Sequence, residues 1–102
     1  MEIYTKSYQT NHGLVEGIQV KWTGFHIILV TGKKGFLTCG VFDLDAIDAF
    51  GGAAAIVEST PENPIGNLDR FPNRKITNVN DKAAALGIKV GMDVTAAFEL
   101  IA

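Results

Sequence analysis

Apolar positions recur at short intervals through the first 42 residues, with glycine-containing turns between them. This part of the chain is rich in Val, Ile, Thr, Tyr, Phe and Trp, the residue types that favour strands. Each of three turns contains a glycine that can adopt a positive φ, at residues 11–13, 23–24 and 32–35. The pattern predicts an antiparallel meander with strands at about residues 2–10, 14–22, 25–31 and 35–41.

The second and third strands differ in how their apolar side chains are distributed. The second strand alternates, with Leu14, Ile18, Val20 and Trp22 on one face and Gly17, Gln19 and Lys21 on the other. The third strand is apolar on both faces, with Phe25, Ile27 and Leu29 opposite Ile28 and Val30. A sheet that is apolar on both faces needs a covering layer on each side.

We predict that one face of this sheet meets a second copy of the chain, because the remaining residues supply helices for only one side. The positive mean hydropathy of +0.19 agrees with this, since a small domain needs a large polar covering. The expected partner is the protein itself, as a dimer or tetramer. The residues predicted for the interface are Phe25, Ile27, Ile28 and Val30.

The second part of the chain has signals for short helices. Asp43 can cap a helix over residues 44–50 that Gly51 ends. A small buried strand is predicted at 53–58. Residues 60–80 contain all three prolines and are predicted to be mostly loop, with a helical turn near 67–71.

Two further helices are predicted after this loop. Asn78 or Asn80 can cap a helix through residues 81–86. A last helix begins at about Val94, with Val94, Ala97, Phe98 and Ile101 on one face. Strands followed by helices predict one α+β domain over residues 1–102, β-rich over 1–42 and mixed over 43–102, with the helices on one face of the sheet.

Composition and charge exclude several classes of protein. With 47% hydrophobic residues, the chain has enough apolar material for a packed core, so it is not intrinsically disordered. The net charge of -2 lacks the basic excess of nucleic-acid-binding proteins. The chain has no apolar run long enough for a membrane span or a signal peptide. A single cysteine fits a reducing compartment, so we expect a cytoplasmic protein.

Cys39 is the candidate nucleophile. It lies at the end of a predicted strand, four residues before Asp43, and a helix N-terminus can stabilise a thiolate. His26 on the neighbouring strand is the candidate base for a cysteine–histidine pair. The alternative is that Cys39 is a small buried apolar residue and His26 a structural one.

Three aspartates, Asp43, Asp45 and Asp48, lie within six residues. Their spacing is that of a cap and the first turns of a helix, where acidic side chains are stabilised by the helix dipole. Gly40, Asp43 and Asp45 are therefore candidates for a helix cap or an anion site. The sequence has no zinc-ligand pattern, and we expect neither a metal nor a cofactor. The segment Gly32–Gly35 lacks the spacing of a phosphate-binding loop and reads as a hairpin tip.

Two segments resemble the YunC-like family of small uncharacterised bacterial and archaeal proteins. One is Gly35–Asp45, with its Cys-Gly step followed by aspartates, and the other is Ala83–Met92, with alanines, Leu-Gly-Ile and Gly-Met. The resemblance implies an α+β domain whose N-terminal β region serves oligomerisation, as a tetramer, without an established activity. We therefore expect a non-catalytic homo-oligomeric binding or structural protein; the alternative is a small enzyme that uses Cys39.

Overall fold

A single six-stranded sheet forms the frame of the protein, and the computed structural model describes all residues from 1 to 102. The strands are neighbours in sequence order, antiparallel throughout except for the parallel pair β4–β5. Their bounds are β1 Glu2–Thr10, β2 Gly13–Trp22, β3 Phe25–Thr31, β4 Phe36–Thr38, β5 Ala54–Val57 and β6 Ile76–Val79. The predicted α+β class and N-terminal meander are confirmed.

The predicted turns form where the glycines allow them. Gly13 and Gly24 have φ values of 120° and 91°, which residues with a β-carbon rarely adopt. The last turn is closed by the Gly32 N–H, which donates to the Gly35 carbonyl at 2.9 Å. It also touches the end of the chain, because the Lys34 N–H donates to the Ile101 carbonyl at 2.9 Å.

Three α-helices and one short 3-10 turn complete the fold. The helices are α1 Leu44–Ala49, α2 Asp81–Ala85 and α3 Val94–Ile101, and the 3-10 turn is Phe71–Asn73. Asp43 caps α1 by accepting from the Asp45 N–H at 3.0 Å, as predicted. Asn80, one of the two predicted candidates, caps α2 by accepting from the Ala83 N–H at 2.9 Å. None of the helices has the length and apolar character to cross a bilayer.

The core lies on one side of the sheet, here called the inner face. It includes the predicted apolar face of α3 and the buried aromatic Phe71, together with sheet residues that share this face, Val15, Ile28, Val30, Leu37, Ala55 and Val57. β5 is buried at all four positions, which agrees with the small buried strand that was predicted. Ala54 lies on the same side as Phe36, opposite to the core, and α1 packs on that side, so the expectation that the helices lie on one face of the sheet is wrong.

A long connection between β5 and β6 is held against the inner face by several contacts. A gap at Gly17 admits the Leu68 side chain, which would lie 2.8 Å from a β-carbon at that position. The Tyr8 hydroxyl donates to the Leu68 carbonyl, and the Gln19 amide donates to the Gly66 carbonyl at 3.1 Å. Burial, assisted by the Asp69 carboxylate, raises the pKa of Tyr8 to about 12, so the hydroxyl remains a donor even in alkaline solution.

Three predictions about the strands are wrong in detail. β4 ends at Thr38 rather than near residue 41, because the chain turns at Gly40 and Val41 after the Cys39 N–H has bonded to Ile28. Residues 76–79 form β6 and not loop. In β2 the buried residues are Val15, Gly17 and Gln19, so the face with more apolar residues is the less buried one.

The two edges of the sheet are unlike each other. At β6, backbone hydrogen bonds join Ile76 to Met92 at 2.9 Å and to Gly91 at 2.7 Å, so the segment before α3 covers the start of this strand. At the other edge, β1 is nine residues long and pairs with β2 without a bulge. Its second side has no strand beside it.

Candidate functional site

The side of the meander opposite the core carries a continuous apolar surface. Residues that pair directly across antiparallel strands project from the same face, and Val20 pairs with both Ile3 and Ile27. Ile18 pairs with Leu29, and Trp22 with Phe25. We call this surface the outer face and define it by Ile3, Leu14, Ile18, Val20, Trp22, Phe25, Ile27 and Leu29.

Large side chains of the outer face are in contact with solvent. Ile3 is 62% exposed, Leu14 55%, Phe25 53% and Trp22 42%. The rings of Trp22 and Phe25 lie side by side, with centroids 6.0 Å apart. Isolated apolar side chains are common on protein surfaces, but a contiguous patch marks an interaction site.

The outer face of β1–β3 has almost no charge. Across the three strands its one charged residue is Glu16, which lies beside Ser7 and Thr31 towards one end. The charged side chains of Lys6 and Lys21 and the imidazole of His26 alternate to the inner face. A second copy of this face would therefore meet it without a row of opposed like charges.

An apolar cleft continues the outer face towards α1. Phe36 pairs with Thr31 and so points to the same side as the outer face; its ring lies 6.4 Å from that of Phe42. The cleft has a volume of about 460 Å³. Its apolar lining comes from Phe36, Val41, Phe42, Ala46, Ile47 and Phe50.

The four predicted interface residues divide between the two faces. Phe25 and Ile27 belong to the outer face, with Phe25 exposed and Ile27 half-buried. Ile28 and Val30 are 1% and 0% exposed because they alternate into the protein's own core. They are therefore unavailable to a partner, and including them in the interface was wrong.

Cys39 and His26 lie on the inner side of the β3–β4 pair. The Cys39 backbone N–H donates to the Ile28 carbonyl at 3.1 Å, which places Cys39 beside Ile28 and diagonal to His26. The half-buried thiol packs against the core. The His26 ring nitrogen Nδ1 lies 3.4 Å from the Gln19 amide, and no hydrogen bond joins His26 to Cys39.

We expect the Cys39 thiol to react slowly with a thiol reagent in the native protein and completely in denaturant. The reason is its packing against the core, which limits access to the sulfur. Titration with a chromogenic disulfide before and after denaturation measures both rates. Native labelling as fast as that of a free thiol at neutral pH would instead favour the nucleophile hypothesis.

The first two aspartates after Cys39 take part in the cap at the start of α1. Asp43 serves as the N-cap of α1, and Asp45 supplies the backbone N–H for this cap. Gly40 is exposed and has no atom within 4 Å of the place where a β-carbon would stand. The structure shows no group of three or more His, Cys, Asp or Glu side chains that could hold a metal ion.

Sequence reasoning missed much of the outer face. Ile3, Leu14, Ile18, Val20, Trp22 and Leu29 were recognised as apolar strand residues but were not included in the interface. The signal was available in β2: a strand with apolar side chains on one face and Gly17 and Gln19 on the other can pack either face. In the structure the Leu68 side chain docks over Gly17, on the face that becomes the core.

A comparison with known protein families shows which family the chain belongs to. A family model described as "Domain of unknown function (DUF1805)" matches residues 38–101. The chain belongs to this family. The match confirms the resemblance inferred from the Cys-Gly and Gly-Met segments. The part of the chain that matches the DUF1805 model begins at the end of β4. It therefore includes Cys39 and Asp43 but none of the outer face.

A solved structure supports the fold over nearly the whole chain. The protein is similar to the crystal structure of a protein of unknown function from Thermoplasma acidophilum, with a TM-score of 0.84 and 16% sequence identity. The alignment covers 99% of this chain and 94% of that one. At this identity the likeness shows the fold alone. No protein with a curated description matches the chain.

Proposed function

We propose that this DUF1805 protein is a non-catalytic homo-oligomer that assembles through the outer face of its β1–β3 meander. The observation that carries the proposal is the set of exposed apolar side chains on that face, led by Ile3, Leu14, Phe25 and Trp22. Burying these side chains against a partner is favourable in proportion to the apolar area removed from water.

A second copy is the occupant that the surface favours. The face lies on a regular sheet, and two such faces can pack about 10 Å apart with interdigitating side chains. Its sole charge, Glu16, lies towards one end, so an identical face brings little like-charge repulsion. The net charge of the chain is only -2, so the overall electrostatic repulsion between two copies is also weak.

The role of such an assembly is structural or ligand-binding rather than catalytic. Cys39 lies on the opposite side of the sheet from the outer face and has no hydrogen bond to His26. If two copies meet through their outer faces, the connections that cover the two inner faces stay exposed to solvent. We propose that a dimer forms first in this way, and that the cleft beside α1 extends the contact.

The substitution Phe25→Asp tests the proposal. Phe25 is 53% exposed in the single chain, so the aspartate disturbs the fold little, but in the assembly it would bury an unpaired charge. We expect association to weaken by at least about tenfold, measured by sedimentation velocity over a range of protein concentrations. Circular dichroism checks that the variant is folded.

Val90→Asp is the matched control. Val90 is 64% exposed and lies between α2 and α3, away from the outer face, so we expect the variant to assemble like the wild type. Trp22 gives a second reading because it is the one tryptophan of the chain, and its emission should shift to longer wavelength on dilution. A wild-type protein that sediments as a monomer at micromolar concentration, or equal dissociation of both variants, contradicts the proposal.

A further inference from the structure

The connection between β5 and β6 buries an arginine whose acceptors are all neutral. Arg74 is only 6% exposed. Its Nη1 donates to the Asn63 carbonyl at 2.8 Å, and its Nη2 donates to the Asn63 side-chain oxygen at 3.1 Å and to the Pro64 carbonyl. These bonds hold the loop in place, but they supply no negative charge.

No carboxylate forms an ion pair with Arg74. The ion pairs of the protein are Lys6–Asp69 and Lys75–Asp93, and the Glu99 carboxylate lies 3.2 Å from Nδ1 of His12. Glu58 lies in the wall of the same cavity as Arg74, but its carboxylate accepts from the Lys75 backbone N–H at 3.2 Å. A buried guanidinium without a counter-ion is unfavourable. An anion bound beside Arg74 would supply the missing negative charge.

A polar cavity opens beside this guanidinium. It has a volume of about 210 Å³ and no apolar residue in its wall. The lining consists of Glu58, Asn63, Arg70, Asn73 and Arg74, so the two arginines outnumber the one carboxylate. A guanidinium has five N–H donors, and the three hydrogen bonds of Arg74 use one on Nη1 and two on Nη2, which leaves the Nε donor and one Nη1 donor for a ligand.

We propose that this cavity binds a phosphate group, with Arg70 and Arg74 as its cationic ligands. The planar Arg70 guanidinium can pair with phosphate oxygens through two parallel hydrogen bonds. Arg74 can donate single hydrogen bonds from the N–H groups that its loop contacts leave free, and the side-chain amides of Asn63 and Asn73 can donate to the same oxygens. The volume suits a small anion or the terminal phosphate of a small ester rather than a nucleotide. The proposal is independent of assembly through the outer face.

Nuclear magnetic resonance with inorganic phosphate as the probe tests the site. We expect the Nε–Hε resonance of Arg74 to shift saturably as sodium phosphate is added, and not with sodium chloride at the same ionic strength. Sodium acetate is the comparison for a planar carboxylate, which should bind more weakly. Glycerol 3-phosphate distinguishes the source of the group: tighter binding than inorganic phosphate indicates an ester, and weaker binding indicates the free ion.

Arg70→Gln and Lys33→Gln are the matched variants, since each removes one exposed positive charge. Arg70 lines the cavity, whereas Lys33 lies in the hairpin between β3 and β4. We expect Arg70→Gln to raise the Kd for phosphate about tenfold or more, and Lys33→Gln to leave it nearly unchanged. The proposal is overturned if the Arg74 resonance does not saturate, if acetate binds as tightly as phosphate, or if both variants weaken binding equally.

Discussion

Replacing Gly32 by alanine is expected to lower the free energy of unfolding by about 3 kcal/mol. A β-carbon at this position would lie 2.6 Å from the Ile101 carbonyl carbon and closer still to its oxygen. These are backbone atoms at the end of α3, and they cannot rotate away as a flexible side chain can. The hairpin and the helix would have to separate, which would break the bond from the Lys34 N–H to the Ile101 carbonyl.

Gly40→Ala is the control for this substitution. A β-carbon on Gly40 would meet no atom within 4 Å, so we expect a change below about 0.5 kcal/mol. Urea denaturation followed by circular dichroism, at one protein concentration for all variants, gives both values. If Gly32→Ala and Gly40→Ala unfold at the same midpoint, the contact between hairpin and α3 does not constrain the native state.

Phe71→Ala is expected to cost about 4 kcal/mol of stability. Phe71 is fully buried and its ring stacks on that of Phe98, with centroids 6.3 Å apart and planes inclined by 4°. Phe98 in turn lies 4.9 Å from the Tyr8 ring. Truncation would therefore leave a cavity between the 3-10 turn, α3 and the sheet, and a loss of this size is a large fraction of the stability of a small domain.

Phe50→Ala removes the same number of atoms from a solvent-facing position. In the single chain Phe50 is 94% exposed at the end of α1, so at protein concentrations where the copies are dissociated we expect its removal to change stability by less than about 0.5 kcal/mol. The comparison by urea denaturation separates burial from residue type. A loss for Phe71→Ala no larger than for Phe50→Ala would show that the aromatic stack does not hold the β5–β6 connection to the core.

Elements with strong local signals could be predicted from the sequence. The first three strands follow from alternation between glycine turns, and α1 and α2 begin at the residues whose side chains cap them, Asp43 and Asn80. The four apolar residues of α3 recur with helical spacing, and all four are buried. In each case the information lies within a few residues of the element that it specifies.

Features that depend on distant residues could not be predicted in this way. β6 is four residues long and exposed at Thr77 and Asn78, so its own pattern is weak; its place is fixed by pairing with β5, about twenty residues earlier. The buried face of β2 depends on Leu68, and the environment of Arg74 depends on Asn63 and Pro64 folding back over it. Neither contact produces a periodic pattern of apolar and polar residues in the sequence.

The difference between the two edges of the sheet affects whether the protein can aggregate into fibres as well as how it assembles. Growth of a fibre by strand addition needs two edges, one to receive a neighbour and one to offer the next site. The segment before α3 covers the start of β6, and that strand has only four residues, so it cannot match the nine residues of β1. Two copies joined at β1 would therefore leave no long edge free, and such a contact closes as a pair instead of continuing into a filament.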